Sequence, residues 1–156
     1  MKTLLLILIA NTALAQYFAP SLTTMYSENS IRPGQRYGVD LKYYALQGDK
    51  EYFFDFALLS GDDSFSDNDL ARFGFGCKTG DKIKYGAMMT ANGYRSVDYE
   101  QSTEDLHTAA VSFSPLLSVE LSDYFYVETG MTLTAFQIGD FEVMNSYFLS
   151  IGMRWH

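Results

Sequence analysis

Hydrophobic and polar residues alternate with a period of two along most of this chain, most clearly near its end. From Tyr147 to Trp155, bulky apolar side chains alternate with small or charged ones. Successive side chains of a strand point to opposite faces, so such a segment has one apolar and one polar face. Turn residues divide the chain into eight segments of this kind, which we predict as strands at 17–27, 35–46, 51–60, 70–79, 82–92, 108–121, 124–136 and 145–155.

The predicted connections fall into two classes that alternate along the chain. Three are tight turns, at 47–50, 79–81 and 122–123, and four are longer and acidic, at 28–34, 61–69, 93–107 and 137–144. An even-stranded, up-and-down β-barrel of the bacterial outer membrane has short periplasmic turns and longer external loops. We therefore predict an all-β, eight-stranded antiparallel transmembrane barrel with both termini in the periplasm. Pro20 and Pro115 lie within predicted strands, where we expect bulges or strand ends.

The charged residues of the predicted strands share the face opposite the bulky apolar residues. Six basic and five acidic groups form this predicted lumen network: Arg36, Asp40, Lys42, Glu51, Asp55, Arg72, Lys78, Lys84, Glu120, Glu128 and Arg154. The predicted lipid-facing residues carry no charge: Tyr37, Val39, Leu41, Tyr43, Tyr52, Phe54, Phe56, Leu58, Ile83, Tyr85, Ala87, Met89, Val111, Phe113, Leu117, Val119, Phe125, Val127, Met131 and Leu133. An arginine or lysine on the lipid face near the midplane would cost about 2–4 kcal/mol, so this separation favours a membrane barrel over a soluble, lipocalin-like one.

The four longer connections hold most of the excess negative charge. They contain eleven acidic residues and two basic ones, Arg32 and Arg95, which leaves nine negative charges. The net charge of the chain is −8, and it becomes −9 when Lys2 is left out, so these connections account for all of it. The predicted external loop surface comprises Asp62, Asp63, Phe65, Asp67, Asp69, Tyr94 and Tyr99, and Phe141 is a further loop aromatic. Exposed aromatics in polar loops favour contact with a host or cell-surface protein, whereas the negative charge disfavours nucleic acid.

The first fifteen residues have the composition of a secretory signal. Lys2 precedes the apolar run Leu4–Ala10, and Ala13-Leu14-Ala15 is a small-x-small cleavage site. An apolar run this short cannot span a bilayer core of about 30 Å. We expect cleavage after Ala15 and one barrel domain over 16–156. The single cysteine, Cys77, excludes an intramolecular disulfide.

With a signal, eight strands and an aromatic last strand, the chain resembles the small eight-stranded outer-membrane proteins of the OmpX, opacity-protein and OmpA transmembrane-domain type. The resemblance covers residues 16–156. It implies that the barrel-assembly machinery reads the apolar face of the last strand, which here comprises Tyr147, Leu149, Ile151, Met153 and Trp155. The last strand of that family normally ends on its aromatic residue, whereas His156 follows Trp155 here. The resemblance also implies contact with outer-membrane lipid and lipopolysaccharide, and a monomer.

The interior charges admit two interpretations. An eight-stranded barrel is only wide enough for side chains to fill it, and buried charges must be paired. We therefore expect a salt-bridge network that closes the lumen. The alternative is a narrow ion path, or a gate formed by exchanging ion pairs.

Enzymatic chemistry has less support in the sequence. Some eight-stranded barrels deacylate or acylate lipid A, and His107 and Ser112 lie in one predicted strand. Five residues apart, their side chains face opposite ways and are roughly 16 Å apart at about 3.3 Å per residue. Ser96 or Ser102 could instead reach His107, with Asp105 to orient it. We expect no catalytic residues.

We expect no cofactor and no specific metal site. The acidic run 61–69 offers oxygen ligands but lacks the spacing, central glycine and terminal glutamate of a calcium-binding loop. A loose association of divalent cations, bridging these carboxylates to lipopolysaccharide phosphates, is expected instead. The leading function is a non-enzymatic structural and surface-interaction protein.

Overall fold

The computed structural model describes residues 16–28, 34–62, 66–98, 106–138 and 140–155, without the side chains of 62, 66–68, 96–98, 106–107, 136–138 and 140–142. Eight strands follow one another: β1 Gln16–Ser27, β2 Gly34–Gln47, β3 Lys50–Asp62, β4 Ser66–Gly80, β5 Ile83–Asp98, β6 Leu106–Glu120, β7 Phe125–Ile138 and β8 Asp140–Met153. Each pairs antiparallel with the next, and β8 pairs with β1 to close a barrel. The predicted fold is confirmed. The predicted signal lies outside the described residues.

The antiparallel order gives the barrel two distinct ends. Residues 48–49, 81–82 and 121–124 connect strands at one end, together with Gln16 and Trp155; we call it the turn end. Gly48 has a φ of +64°, the left-handed conformation that a two-residue turn requires and glycine adopts without strain. At the opposite end the strands lead into 29–33, 63–65, 99–105 and 139.

The strands at this opposite end are longer than predicted. Ser60 pairs with Asp69 and Asp62 with Asp67, so most of the predicted loop 61–69 belongs to the β3–β4 hairpin. The predicted loops 93–107 and 137–144 are likewise shortened by β5, β6, β7 and β8. The predicted strands ended where apolar alternation ended, but a ladder is held by backbone hydrogen bonds, which polar residues make equally well.

Both prolines lie inside strands, and neither forms the predicted bulge or strand end. Phe18 exchanges both backbone hydrogen bonds with Trp155, at 3.1 and 2.7 Å. Pairing of β1 with β8 resumes at Ser21 and Gly152 in the same register, so Pro20 interrupts the ladder without adding a residue. Pro115 interrupts the β6–β7 ladder similarly, between Phe113–Leu133 and Leu116–Gly130. Proline lacks the N–H that would complete each ladder.

Side chains alternate between an outer apolar face and a packed interior. The predicted lipid-facing residues point outward; Tyr37 and Tyr85, for example, are 58% and 64% exposed. Away from the turn end, and among the described side chains of the eight strands, Asp69 and Arg95 are the charged residues of this outer face. No helix in the described part of the chain is long and apolar enough to cross a membrane.

Candidate functional site

The eleven predicted lumen residues all lie on the inner face of the barrel. Asp40 and Lys42 come from β2, Glu51 and Asp55 from β3, and Arg72 and Lys78 from β4. Lys84, Glu120 and Glu128 come from β5, β6 and β7, and Arg154 follows β8. Alternation puts these side chains on the same face of each strand, and because the sheet closes into a barrel, that face lines a single lumen.

The deepest ion pairs lie in the middle of the barrel. The Arg72 guanidinium donates to the Asp55 carboxylate at 2.6 Å and to Asp40 at 2.9 Å. The Lys42 ammonium lies 3.2 Å from Asp40 and also donates to Glu128, which is on the opposite wall of the barrel. All five side chains are at most 1% exposed. Cross-lumen pairs of this kind tie non-adjacent strands together.

The ion pairs continue to the turn end. Lys78 lies 3.2 Å from Glu128 and 3.6 Å from Glu51, so it connects the central pairs to the next group. Lys84 bridges Glu51 and Glu120. Arg154 donates to Glu120, whose side chain is 19% exposed. Ten of the predicted residues therefore form one chain of ion pairs from the barrel centre to the turn end.

Arg36 lies apart from this chain. It is buried towards the opposite end, where its guanidinium donates to the Ser27 hydroxyl at 3.0 Å and lies 5.6 Å from the Tyr94 ring centroid. Arg36 therefore lies nearer the end of the barrel opposite the turns than the ten residues of this chain of ion pairs do.

Sequence reasoning missed an aromatic cluster that packs among the ions. Tyr17 and Tyr44 stack with ring centroids 4.5 Å apart, and Phe53 lies 5.4 Å from Tyr44. The Lys78 ammonium lies 4.7 Å from the Tyr44 ring centroid and donates to its hydroxyl at 2.9 Å. The Tyr17 hydroxyl donates to Glu51 at 3.1 Å. The sequence did contain the information needed to find this cluster, because Tyr44 and Phe53 are each two residues from a predicted lumen charge and therefore face the same way.

Interior glycines make room for further rings. A Cβ added to Gly152 would lie 2.4 Å from the Tyr126 ring, and one added to Gly130 would lie 2.7 Å from the Phe148 ring. Both rings are at most 2% exposed. Large and small residues on neighbouring strands therefore complement each other across the packed lumen.

Hydroxyl pairs line much of the remaining interior. Hydrogen bonds join Thr23 to Ser150 at 2.8 Å, Ser114 to Thr132 at 2.8 Å, and Ser27 to Ser146 at 2.9 Å. Ser112 shares a hydrogen bond of 2.7 Å with Thr134 and accepts another from the Asn92 amide. Ser112 therefore belongs to a polar packing layer on the inner face. Ser102 and Asp105, considered with it as candidate catalytic groups, lie outside the described residues, as do the side chains of His107 and Ser96.

The predicted external loop surface is only partly described. Asp63, Phe65 and Tyr99 lie outside the described residues, while Asp62 and Asp67 are in β3 and β4 without described side chains. Tyr94 contradicts the prediction, because it points into the barrel from β5 and is 3% exposed. Asp69 is an outer-face residue of β4 that accepts a hydrogen bond from Ser60 at 2.7 Å.

The predicted assembly signal lies on the outer face of the closing strand. Tyr147, Leu149, Ile151 and Trp155 are 44–66% exposed, and Met153 is partly exposed. Its recognition stays a prediction. Phe141 is in β8 without a described side chain. Among the described residues, no group of three or more His, Cys, Asp or Glu side chains is placed to hold a metal ion.

Three solved structures share this architecture. The N-terminal β-barrel domain of Pseudomonas aeruginosa OprF aligns with a TM-score of 0.71 and 11% identity over 91% of this chain and 99% of that one. Neisserial surface protein A aligns with a TM-score of 0.59 and 13% identity, over 89% of this chain and 95% of that one. Ail, the attachment invasion locus protein of Yersinia pestis, was solved in complex with the heparin analogue sucrose octasulfate. It aligns with a TM-score of 0.57 and 11% identity, over 90% of this chain and 97% of that one.

The chain has the fold of the small eight-stranded outer-membrane β-barrels. No family model matches the sequence, and neither does any curated protein. At these identities the likeness concerns the fold.

Proposed function

We propose that this protein is a non-enzymatic barrel of the bacterial outer membrane that presents an acidic surface outside the cell and whose lumen is closed by its own side chains. The observation that carries the proposal is the pairing of an apolar outer face with an interior filled by ion pairs and rings. An apolar exterior is stable in lipid, where a closed barrel leaves no backbone group unpaired.

The closed lumen favours a structural role over transport. Side chains from opposite walls meet directly, as Lys42 and Glu128 do, and rings fill the space beside them. A conducting path would require these pairs to separate in a low-dielectric interior, where the desolvation of each charge is costly.

An interaction role follows from the charge at the end opposite the turns. In sequence, the segments that lead to and from this end carry nine excess negative charges. Two of the structural neighbours are described as a surface protein and an attachment invasion protein. An anionic surface suits a basic partner or divalent cations rather than a polyanion such as the heparin analogue bound to Ail.

Membrane insertion and conductance test the proposal together. We expect the protein in the outer-membrane fraction, with faster gel mobility before boiling than after, and no conductance steps in a planar bilayer. A soluble protein with unchanged mobility would refute the membrane barrel. Discrete conductance that changes in Glu128→Gln would favour the ion path instead. A lipid A mass profile altered by expression, and restored by His107→Ala, would favour an enzyme.

A further inference from the structure

One row of cross-strand neighbours on the inner face contains four buried polar side chains. Each member of the row is the Cα partner of the next, in adjacent strands from β7 through β8, β1, β2 and β3 to β4. In that order the row is Tyr126, Gly152, Ser21, Asp40, Ala57 and Arg72. The four polar side chains are at most 6% exposed. The row therefore places a hydroxyl, a second hydroxyl, a carboxylate and a guanidinium side by side inside the barrel.

The two long side chains of this row reach towards its middle from opposite ends. The Tyr126 hydroxyl lies over Gly152, because a Cβ added to Gly152 would be 2.5 Å from that oxygen. Gly152 is the cross-strand neighbour of Ser21. From the other side, the Arg72 guanidinium extends past the small Ala57 and donates to Asp40 at 2.9 Å. The polar ends of the four side chains therefore converge on the wall formed by β1 and β2.

Each of the four side chains has one buried polar atom that the rest of the described chain does not satisfy. Within the described residues, no hydrogen bond is formed by the Tyr126 hydroxyl, the Ser21 hydroxyl, Asp40 Oδ1 or Arg72 Nη1. Lys42 and Arg72 both contact Asp40 through Oδ2, and Arg72 donates through Nε and Nη2. Polar groups buried in proteins are nearly always hydrogen-bonded, because an unpartnered one keeps the full cost of its desolvation. Four such atoms in one row indicate a shared partner.

The chemistry of the four atoms identifies that partner. Arg72 Nη1 can only donate, Asp40 Oδ1 in a carboxylate can only accept, and the two hydroxyls can do either. The guanidinium would repel a metal cation, and the carboxylate would repel an anion. The partner must therefore both donate and accept, and it must be small, because rings and ion pairs fill the lumen around it. Water meets these conditions, and a buried water molecule typically makes about three hydrogen bonds to such groups.

From this row of converging polar atoms, we propose that the barrel holds an ordered water molecule between Tyr126, Ser21, Asp40 and Arg72. The water accepts hydrogen bonds from Tyr126 and Arg72 and donates to Ser21 and Asp40, which uses both its protons and both its lone pairs. It connects the central ion pairs to Ser21, where the β1–β8 ladder resumes after Pro20. The inference goes beyond the proposed function, because a water bound in this row is compatible with a closed lumen and with a conducting one.

Removal of single hydroxyls distinguishes a bound water from unpartnered groups. A hydroxyl that bonds to water stabilises the fold, whereas removing one that has no partner relieves its desolvation. We expect Tyr126→Phe and Ser21→Ala each to raise the equilibrium constant for unfolding about three- to tenfold, measured by urea unfolding in phospholipid vesicles. Tyr85→Phe is the matched control, because it removes the same hydroxyl from an exposed ring of the outer face and should leave the constant unchanged. An unchanged or lowered constant in Tyr126→Phe or Ser21→Ala would overturn the proposal.

A crystal structure at a resolution that shows ordered water distinguishes a bound water from direct contact between the side chains. We expect a density peak within about 3.2 Å of at least three of the four polar atoms. A direct hydrogen bond between the Tyr126 and Ser21 hydroxyls, with no peak beside them, would overturn the proposal even if both variants were destabilised. A peak with oxygen distances of about 2.4 Å would identify a metal cation and would also overturn it.

Discussion

At the scale of single residues, most charged side chains of the strands point into the barrel, and most of the large apolar side chains point outward. A buried charge is tolerated only when it is paired, and Glu128 illustrates the condition. It is fully buried, accepts from Lys42 and lies 3.2 Å from Lys78, so one carboxylate compensates two ammonium groups on other strands. Its removal would leave two buried positive charges without their shared partner.

We therefore predict that Glu128→Gln lowers the free energy of unfolding by about 3–5 kcal/mol, the usual loss when one member of a buried pair is removed. Urea unfolding in phospholipid vesicles, followed by gel mobility without boiling, measures the change. Asp123→Asn is the control, because it makes the same carboxylate-to-amide change at an exposed turn and should alter stability by less than about 0.5 kcal/mol. Equal effects in the two variants would contradict a stabilising role for the network.

At the scale of elements, the weakest ladder is the one that closes the barrel. β1 and β8 pair continuously over seven positions, from Ser21–Gly152 to Ser27–Ser146, whereas β7 and β8 pair over fourteen. Pro20 has no N–H to offer β8 at the point of interruption. Local opening follows the number of backbone hydrogen bonds and contacts that must be lost, so this seam should open first.

Amide exchange within β8 tests this expectation with its own internal control. The Trp155 amide donates to β1 and the Arg154 amide donates to Tyr124, beside β7. By alternation, the amides of Leu149 and Ile151 face β1, while those of Phe148 and Ser150 face β7. We predict faster hydrogen exchange at Leu149 and Ile151, measured by NMR in micelles. Uniform protection along β8 would contradict a weak seam.

At the scale of the whole molecule, antiparallel order puts the strand ends that lead into the acidic segments at one end of the barrel, and the tight turns with Gln16 and Trp155 at the other. The proposed orientation puts the turn end in the periplasm. We predict that a membrane-impermeant maleimide labels Ser102→Cys in intact cells and labels Ser122→Cys only after lysis, both in a Cys77→Ser background. Labelling of Ser122→Cys in intact cells would reverse the orientation.

Alternation and turn residues together were sufficient for the strand number, the fold and the face of every described lumen charge, because a strand has only two faces. Tyr94 is an exception, because the predicted connection 93–107 placed it in an external loop. β5 continues to Asp98, so Tyr94 lies within a strand, two residues after Asn92. Its side chain therefore points into the barrel, as that of Asn92 does. Strand ends were the least predictable feature, because backbone hydrogen bonds extend a hairpin without regard to hydrophobicity.

The sequence by itself thus determined which residues face the interior and that eight strands form an even-numbered barrel, since both follow from local alternation and turn chemistry. Only the tertiary structure decided which charges meet. Lys42 and Glu128 are 86 residues apart and lie on opposite walls, and their contact depends on closure of β8 onto β1. It also decided that Tyr126 packs over Gly152. Contacts across the lumen and between distant strands depend on register and closure, which no local pattern encodes.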